Sequence, residues 1–151
     1  MTTIRIYNYA NREEWLADRK NFIGASEVAS VIGAPGAYSS RWELWARKSG
    51  RLPDKPETES MRWGSILEAA IGQGVQAEHG GYVISSPDVY DAYGPEDKPH
   101  QRATPDCTWR RGEVVWLLEV KNVDRMLAEH WDDAPPPHVV VQLQWQMYCC
   151  G

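Results

Sequence analysis

The spacing of apolar positions changes once along the chain, at the double glycine Gly80-Gly81. Before it the spacing is helical. Residues 13–19 set Trp15 and Leu16 inward on one face. Ser26 stands just ahead of Glu27, Val28, Val31 and Ile32, which predicts a short helix with Ser26 as its N-cap and Gly33 as its stop. Pro35-Gly36 is a turn. Ser40 and Glu43 make a capping-box pair ahead of Leu44, Trp45 and Lys48, and Gly50 closes that helix. Residues 52–58, with Pro53 and Pro56, read as loop. Residues 60–79 read as a longer helix, weakened by Gly64, Gly72 and Gly74.

Past the double glycine, residues 82–85, 101–109 and 113–121 form short runs rich in β-branched and aromatic residues, which predict strands. The last two fold into a hairpin about residues 110–112. A helical piece at 124–131 leads into the rigid connector Pro135-Pro136-Pro137. A final helix covers 139–150, with Val140, Leu143 and Met147 on one side. Helices flanking a small sheet predict an α/β sandwich.

A chain of 151 residues fits one domain. A 42% hydrophobic and 25% charged composition is that of a soluble globular protein. No apolar run approaches the roughly 20 residues that span a bilayer, so no membrane role is expected. The first residues lack the basic-then-apolar pattern of a secretory signal. Three cysteines, two of them adjacent at Cys149 and Cys150, give no disulfide framework and point to a reducing cytoplasm. The net charge of −5 is unevenly spread. Residues 1–52 are net basic and the remainder is strongly acidic, a split that fits a phosphate-binding face beside a carboxylate cluster, or ordinary uneven surface charge. Of the eight tryptophans, Trp15, Trp42, Trp45 and Trp63 fall at core spacing, and Trp116 and Trp145 in apolar runs. Trp109, beside Arg110 and Arg111, is the candidate for stacking on an unpaired base.

The chemistry concentrates in the hairpin. Asp106 follows Pro105 on one strand, and Glu119 and Lys121 lie on the next, two residues apart and therefore on one face. Folding about 110–112 brings Asp106 to Glu119. Adjacent carboxylates repel, and either protonation or a hard divalent cation such as Mg²⁺ relieves the repulsion. A lysine beside them can hold or activate a water and offset charge on a phosphoryl group. Together these groups describe metal-assisted phosphodiester hydrolysis. By itself the motif is equally that of an edge strand with ordinary charges.

Further segments resemble, in order, the λ-exonuclease/YqaJ-type viral recombinase nucleases of the PD-(D/E)xK superfamily. They are Trp15, Arg19, Ile23 and Ala25-Ser26-Glu27-Val28; the helix SSRWELWARKSGRL; MRWGSILE from Met61 to Glu68; ATPD ending at Asp106; LEVKN from Leu118; and the glutamine-bearing VVVQLQWQMYCCG. The resemblance implies a single nuclease domain over residues 1–151, with a restriction-endonuclease-like α/β/α sandwich around a small central mixed sheet. It also implies that Glu68, Asp106, Glu119 and the backbone carbonyl of Val120 hold two Mg²⁺ ions, for which Mn²⁺ can substitute. Lys121 is then the catalytic lysine, Gln142 supports the site, and Arg19 with Ser26 receives a 5′-phosphate. A local reading agrees on that last pair, since a guanidinium and a hydroxyl at a helix start make an anion site.

The implied function is a DNA exonuclease of phage or prophage recombination that degrades linear duplex from 5′ to 3′ in the bacterial cytoplasm. A single-strand annealing protein is the implied partner, and a trimer the implied assembly. A nicking or structure-specific endonuclease and a catalytically silent DNA-binding accessory protein are the alternatives. The chain departs from the pattern at Cys107, where a glycine is usual, and at His138, near the place of a tyrosine. It also stops at Gly151, where relatives continue, so it reads as a short variant or a fragment. Its three cysteines do not suit the four-cysteine iron–sulfur cluster of some related nucleases.

Overall fold

The computed structural model describes residues 2–85, 90–131 and 133–151. Strand β1 (Ile4–Tyr9) leads into α1 (Arg12–Asp18), a 3₁₀ turn (Arg19–Asn21), α2 (Ala25–Ile32), α3 (Arg41–Lys48) and the 21-residue α4 (Glu59–His79). Then come β2 (Tyr82–Ser85), β3 (Tyr90–Pro95), β4 (Cys107–Arg111), β5 (Val114–Leu118), a 3₁₀ segment (Arg125–Trp131) and α5 (Pro137–Cys150). The expected elements are present. β1 and β3 are additional, and 124–131 winds as 3₁₀ rather than α. No described helix is long and apolar enough to cross a membrane.

The α/β class is borne out, but the strand ladders form two antiparallel sheets rather than one mixed sheet. β1 pairs with β3, and β4 lies between β2 and β5. The break falls in residues 101–106, predicted as the first half of a strand. They run irregularly, touching β3 through an isolated Tyr93–Ala103 bridge and the stretch just before α2 through a parallel Ile23–Gln101 bridge. The approach to β3 is close: a Cβ on Gly94 would lie 2.2 Å from the Gln101 carbonyl oxygen. The predicted hairpin is present, with Arg111 opposite Val114 and Gly112 at φ 62°, a backbone that a two-residue turn requires and that glycine adopts without strain.

Small residues make the core. Ala25 of α2, Ala103 and Cys149 of α5 meet at its centre, with Trp145 packed against them. Close approach of the two helices over 101–106 follows from that choice of small side chains. Beside it, buried Arg102 donates to the Pro99 carbonyl (2.8 Å), to Tyr9 Oη (2.9 Å) and to Asp18 Oδ2 (2.5 Å), and its guanidinium lies 3.6 Å from the Tyr7 ring centroid. This knot ties β1, α1 and the 101–106 segment together.

Several packing expectations are overturned. Leu16 is exposed. None of the eight tryptophans is buried. Several instead carry an arginine on one face, as Arg19 does on Trp15, Arg51 on Trp45 and Arg62 on Trp63, so a wide ring serves as a platform for a cation rather than as core filling. Trp109 is half-buried. It donates to the Gly80 carbonyl (2.9 Å) and stacks on Trp116 with centroids 4.8 Å apart. Helix α5 turns its polar stripe inward: Val139, Gln142, Gln146 and Cys149 are buried, while Val140 and Met147 are exposed.

Candidate functional site

One cleft of about 380 Å³ gathers the predicted residues other than Val120, which is not in its lining. Arg19, Ser26, Glu68, Asp106, Glu119, Lys121 and Gln142 all line it, together with Arg12, Trp15, Ser65, Tyr90 and Thr104. They come from the 3₁₀ turn, α2, α4, the bend before β4, the segment after β5, and α5. Local folding explains each arrival. The ladder pairs Cys107 with Leu118, so Asp106 and Glu119 sit opposite each other just beyond its end. There the chain leaves regular pairing, and the Val120 N–H donates to Asp106 Oδ2 (2.9 Å) instead of to a strand. Val120 is half-buried between Glu119 and Lys121. Glu68 reaches the cleft from α4, one turn after Ser65, on a helix started by Thr58 Oγ1 accepting from the Met61 N–H (3.2 Å).

Glu119 is the hub of the acidic side chains. Its side chain is only 3% exposed. Oε1 accepts from Lys121 Nζ and from Gln142 Nε2, and Oε2 accepts from Gln146 Nε2 at 2.6 Å. The inward turn of α5 thus has a cause: a buried carboxylate demands donors, and two glutamines one helical turn apart supply them. Resemblance pointed to Gln142 alone. Gln146 was missed, although its i, i+4 spacing from Gln142 was the available signal.

The remaining carboxylates are strained electrostatically. Burial and the Glu119 charge push Asp106 up to about 7. Burial and the same charge raise Glu68. Burial would lower Lys121, but its contact with Glu119 outweighs that and holds the ammonium above its ordinary value. Among the described residues, three carboxylates and neither His nor Cys line the cleft, a donor set suited to a hard cation such as Mg²⁺. Among the described residues no group of three or more His, Cys, Asp or Glu is drawn together at ligating distance. Two of the three donors to Glu119, Gln142 and Gln146, stand on α5.

The surroundings of Arg19 and Ser26 are built differently. Gly24, not Ser26, caps α2: its N–H donates to Glu27 Oε2 at 2.8 Å, and Ser26 is the second residue of the helix. Sequence favoured serine at the cap, but the side chain that reaches back here belongs to Glu27. Glu27 also pairs with Lys48 (2.9 Å) and Arg19 (3.4 Å). Lys48 donates further to the carbonyls of Arg19 and Phe22, both at 2.6 Å. Lys48 and Glu27, neither given a role in the site from sequence, therefore fix the turn that presents Arg19.

Residues 14–151 match the sequence model of the YqaJ-like viral recombinase domain. The chain belongs to that family. An uncharacterized protein, YqaJ of Bacillus subtilis (strain 168), is 30% identical over 71 residues, which is 46% of this chain and 22% of YqaJ. The chain thus spans about a fifth of the length of that curated relative. No solved structure matches. The family span takes in every cleft residue named above except Arg12.

Proposed function

We propose that this YqaJ-like domain is a Mg²⁺-dependent nuclease of phage recombination that hydrolyses linear double-stranded DNA from 5′ to 3′. The observation that carries the reading is the convergence of all seven candidate side chains on one cleft, three carboxylates together with Lys121 and Arg19. On this reading the two ladders, bridged through Ala103, are halves of the central sheet of an α/β/α nuclease fold.

Glu68, Asp106, Glu119 and the Val120 carbonyl would hold the divalent ions, two in number, with Mn²⁺ as a substitute. Bound there, the ions supply charge stabilisation at the attacking and leaving oxygens. Lys121 Nζ, anchored on Glu119, holds the attacking water and offsets charge developing on the phosphoryl oxygens. Gln142 keeps Glu119 and Lys121 in register. Arg19 and Ser26 hold the terminal 5′-phosphate, with Trp15 beneath the guanidinium. A single-strand annealing protein is the partner that the product strand calls for, and a homo-oligomer such as a trimer is the proposed assembly.

The test is digestion of linear and closed circular duplex, with Mg²⁺ and then with EDTA. Linear DNA alone should be degraded, and only with the ion. Cutting of circles would replace the exonuclease reading with an endonuclease. Inactivity on both would favour a silent DNA-binding accessory. Arg19→Ala should impair 5′-phosphorylated ends more than 5′-hydroxyl ends, and equal loss would remove Arg19 from the phosphate site.

A further inference from the structure

We propose that Gln146 is a positioning residue that fixes the carboxylate plane of Glu119 from behind. The assignment rests on the reading of Glu119 as part of a nuclease site. Gln146 is 1% exposed and does not line the cleft, whereas Gln142, one turn earlier on α5, does. Glu119 therefore meets donors on two sides. Lys121 and Gln142, both cleft residues, take Oε1, and Gln146 takes Oε2 from the buried side at 2.6 Å.

The geometry matters because the terminal torsion of a glutamate is broad and roughly two-fold. Donors on one oxygen hold that edge of the carboxylate, and the group still rocks about it as the preceding torsions flex. A donor on the second oxygen removes that freedom and presents Oε1 to the cleft in one orientation. Chemistry fixes the direction of the amide as well: only its NH₂ can face a carboxylate. The consequence is visible in the structure. The Oε1 atoms of both Gln142 and Gln146 are buried without a hydrogen-bond partner. A buried amide oxygen left in this way is unfavourable, so both amides are committed to Glu119 at the expense of their own carbonyls. Packing alone would be served as well by an apolar side chain at this position.

The experiment compares wild type with Gln146→Met, which keeps length and volume and removes the donor. Gln146→Leu serves if the Met variant does not fold. Three readouts are taken: the Lys121 ammonium ¹⁵N resonance in metal-free protein, Mn²⁺ affinity by calorimetry, and kcat and KM on linear duplex. The ammonium resonance should move, and Mn²⁺ affinity and kcat should each fall by roughly tenfold to a hundredfold with KM for DNA unchanged, the range typical of groups that orient ligands. Gln146→His, which keeps an N–H donor, should retain more kcat than the Met variant. A lowered melting temperature with the resonance, affinity and kcat of wild type would overturn the assignment and leave Gln146 as packing. Equal losses in the Met and His variants would overturn it too. If the wild type hydrolyses no DNA, the nuclease reading fails separately. The ammonium resonance then still decides Gln146: a shift upholds its hold on Glu119, and no shift ends the proposal.

Discussion

Asp18 and Asp106 are both half-buried carboxylates, and the protein treats them in opposite ways. Asp18 accepts from Arg102, Tyr9 and Asn21. Burial alone would raise it, but those donors outweigh burial and hold it below the ordinary aspartate value. Asp106 accepts one backbone N–H and faces Glu119 and Glu68, so burial and like charge carry it up to about 7. A satisfied carboxylate ties elements together. A frustrated one stores unfavourable energy that a bound cation can release, and this is the ground for proposing the cleft, not the Arg102 knot, as the seat of chemistry.

The comparison breaks most sharply at Asp106. Asp106→Asn should cut nuclease activity on linear duplex by roughly a hundredfold to a thousandfold or more, the range seen when a charge-stabilising group is lost. The same change should raise the melting temperature of metal-free protein at pH 8, because a repulsive charge is gone. Loss of both activity and stability would mean that Asp106 is a structural carboxylate like Asp18.

Arg102→Met attacks the other side. It strands Asp18 and Tyr9 without their cation and should lower unfolding free energy by roughly 2–3 kcal/mol, measured by urea denaturation. That is below the cost for a fully buried pair, since the Asp18 side chain is 30% exposed. Any surviving folded protein should keep its dependence on Mg²⁺.

Smaller effects follow from pH. Asp106 has a folded value above its unfolded one, so its contribution to stability is full below about pH 4 and lost as pH rises toward 7. Asp18 is displaced downward, so its contribution is present above the unfolded aspartate value and lost as acid protonates it. Metal-free melting temperature should therefore decline from pH 5 to pH 8 and also drop below about pH 4. Mg²⁺ should restore stability at pH 8 and do little at pH 5. A curve that rises steadily from pH 5 to pH 8 in EDTA would contradict the frustrated state of Asp106.

How much of this could be read from sequence depended on whether a signal was local. The Ser40–Glu43 capping box, the turn at Gly112 and the facing of Asp106 with Glu119 are local and were legible. Strands β1 and β3 were not, because Ile4–Tyr9 and Tyr90–Pro95 find each other across 81 or more positions. Neither could sequence show that α5 buries Gln142 and Gln146 while exposing Val140 and Met147, since apolar periodicity argues the reverse. Only the buried charge of Glu119, arriving from another element, explains that choice. The Gly24 cap escaped for a related reason: Glu27, not the serine, supplies the capping oxygen.

The most direct test of the central claim is hydrolysis of 5′-phosphorylated linear duplex with Mg²⁺ by wild type and by Lys121→Ala, with both shown to be folded by circular dichroism. Wild type should degrade the DNA and lose all activity in EDTA, and Lys121→Ala should be slower by roughly 10²–10⁴-fold, the range for a lost acid–base group. Equal rates in the two proteins, or equal inactivity, would contradict the assignment of this cleft as a nuclease site.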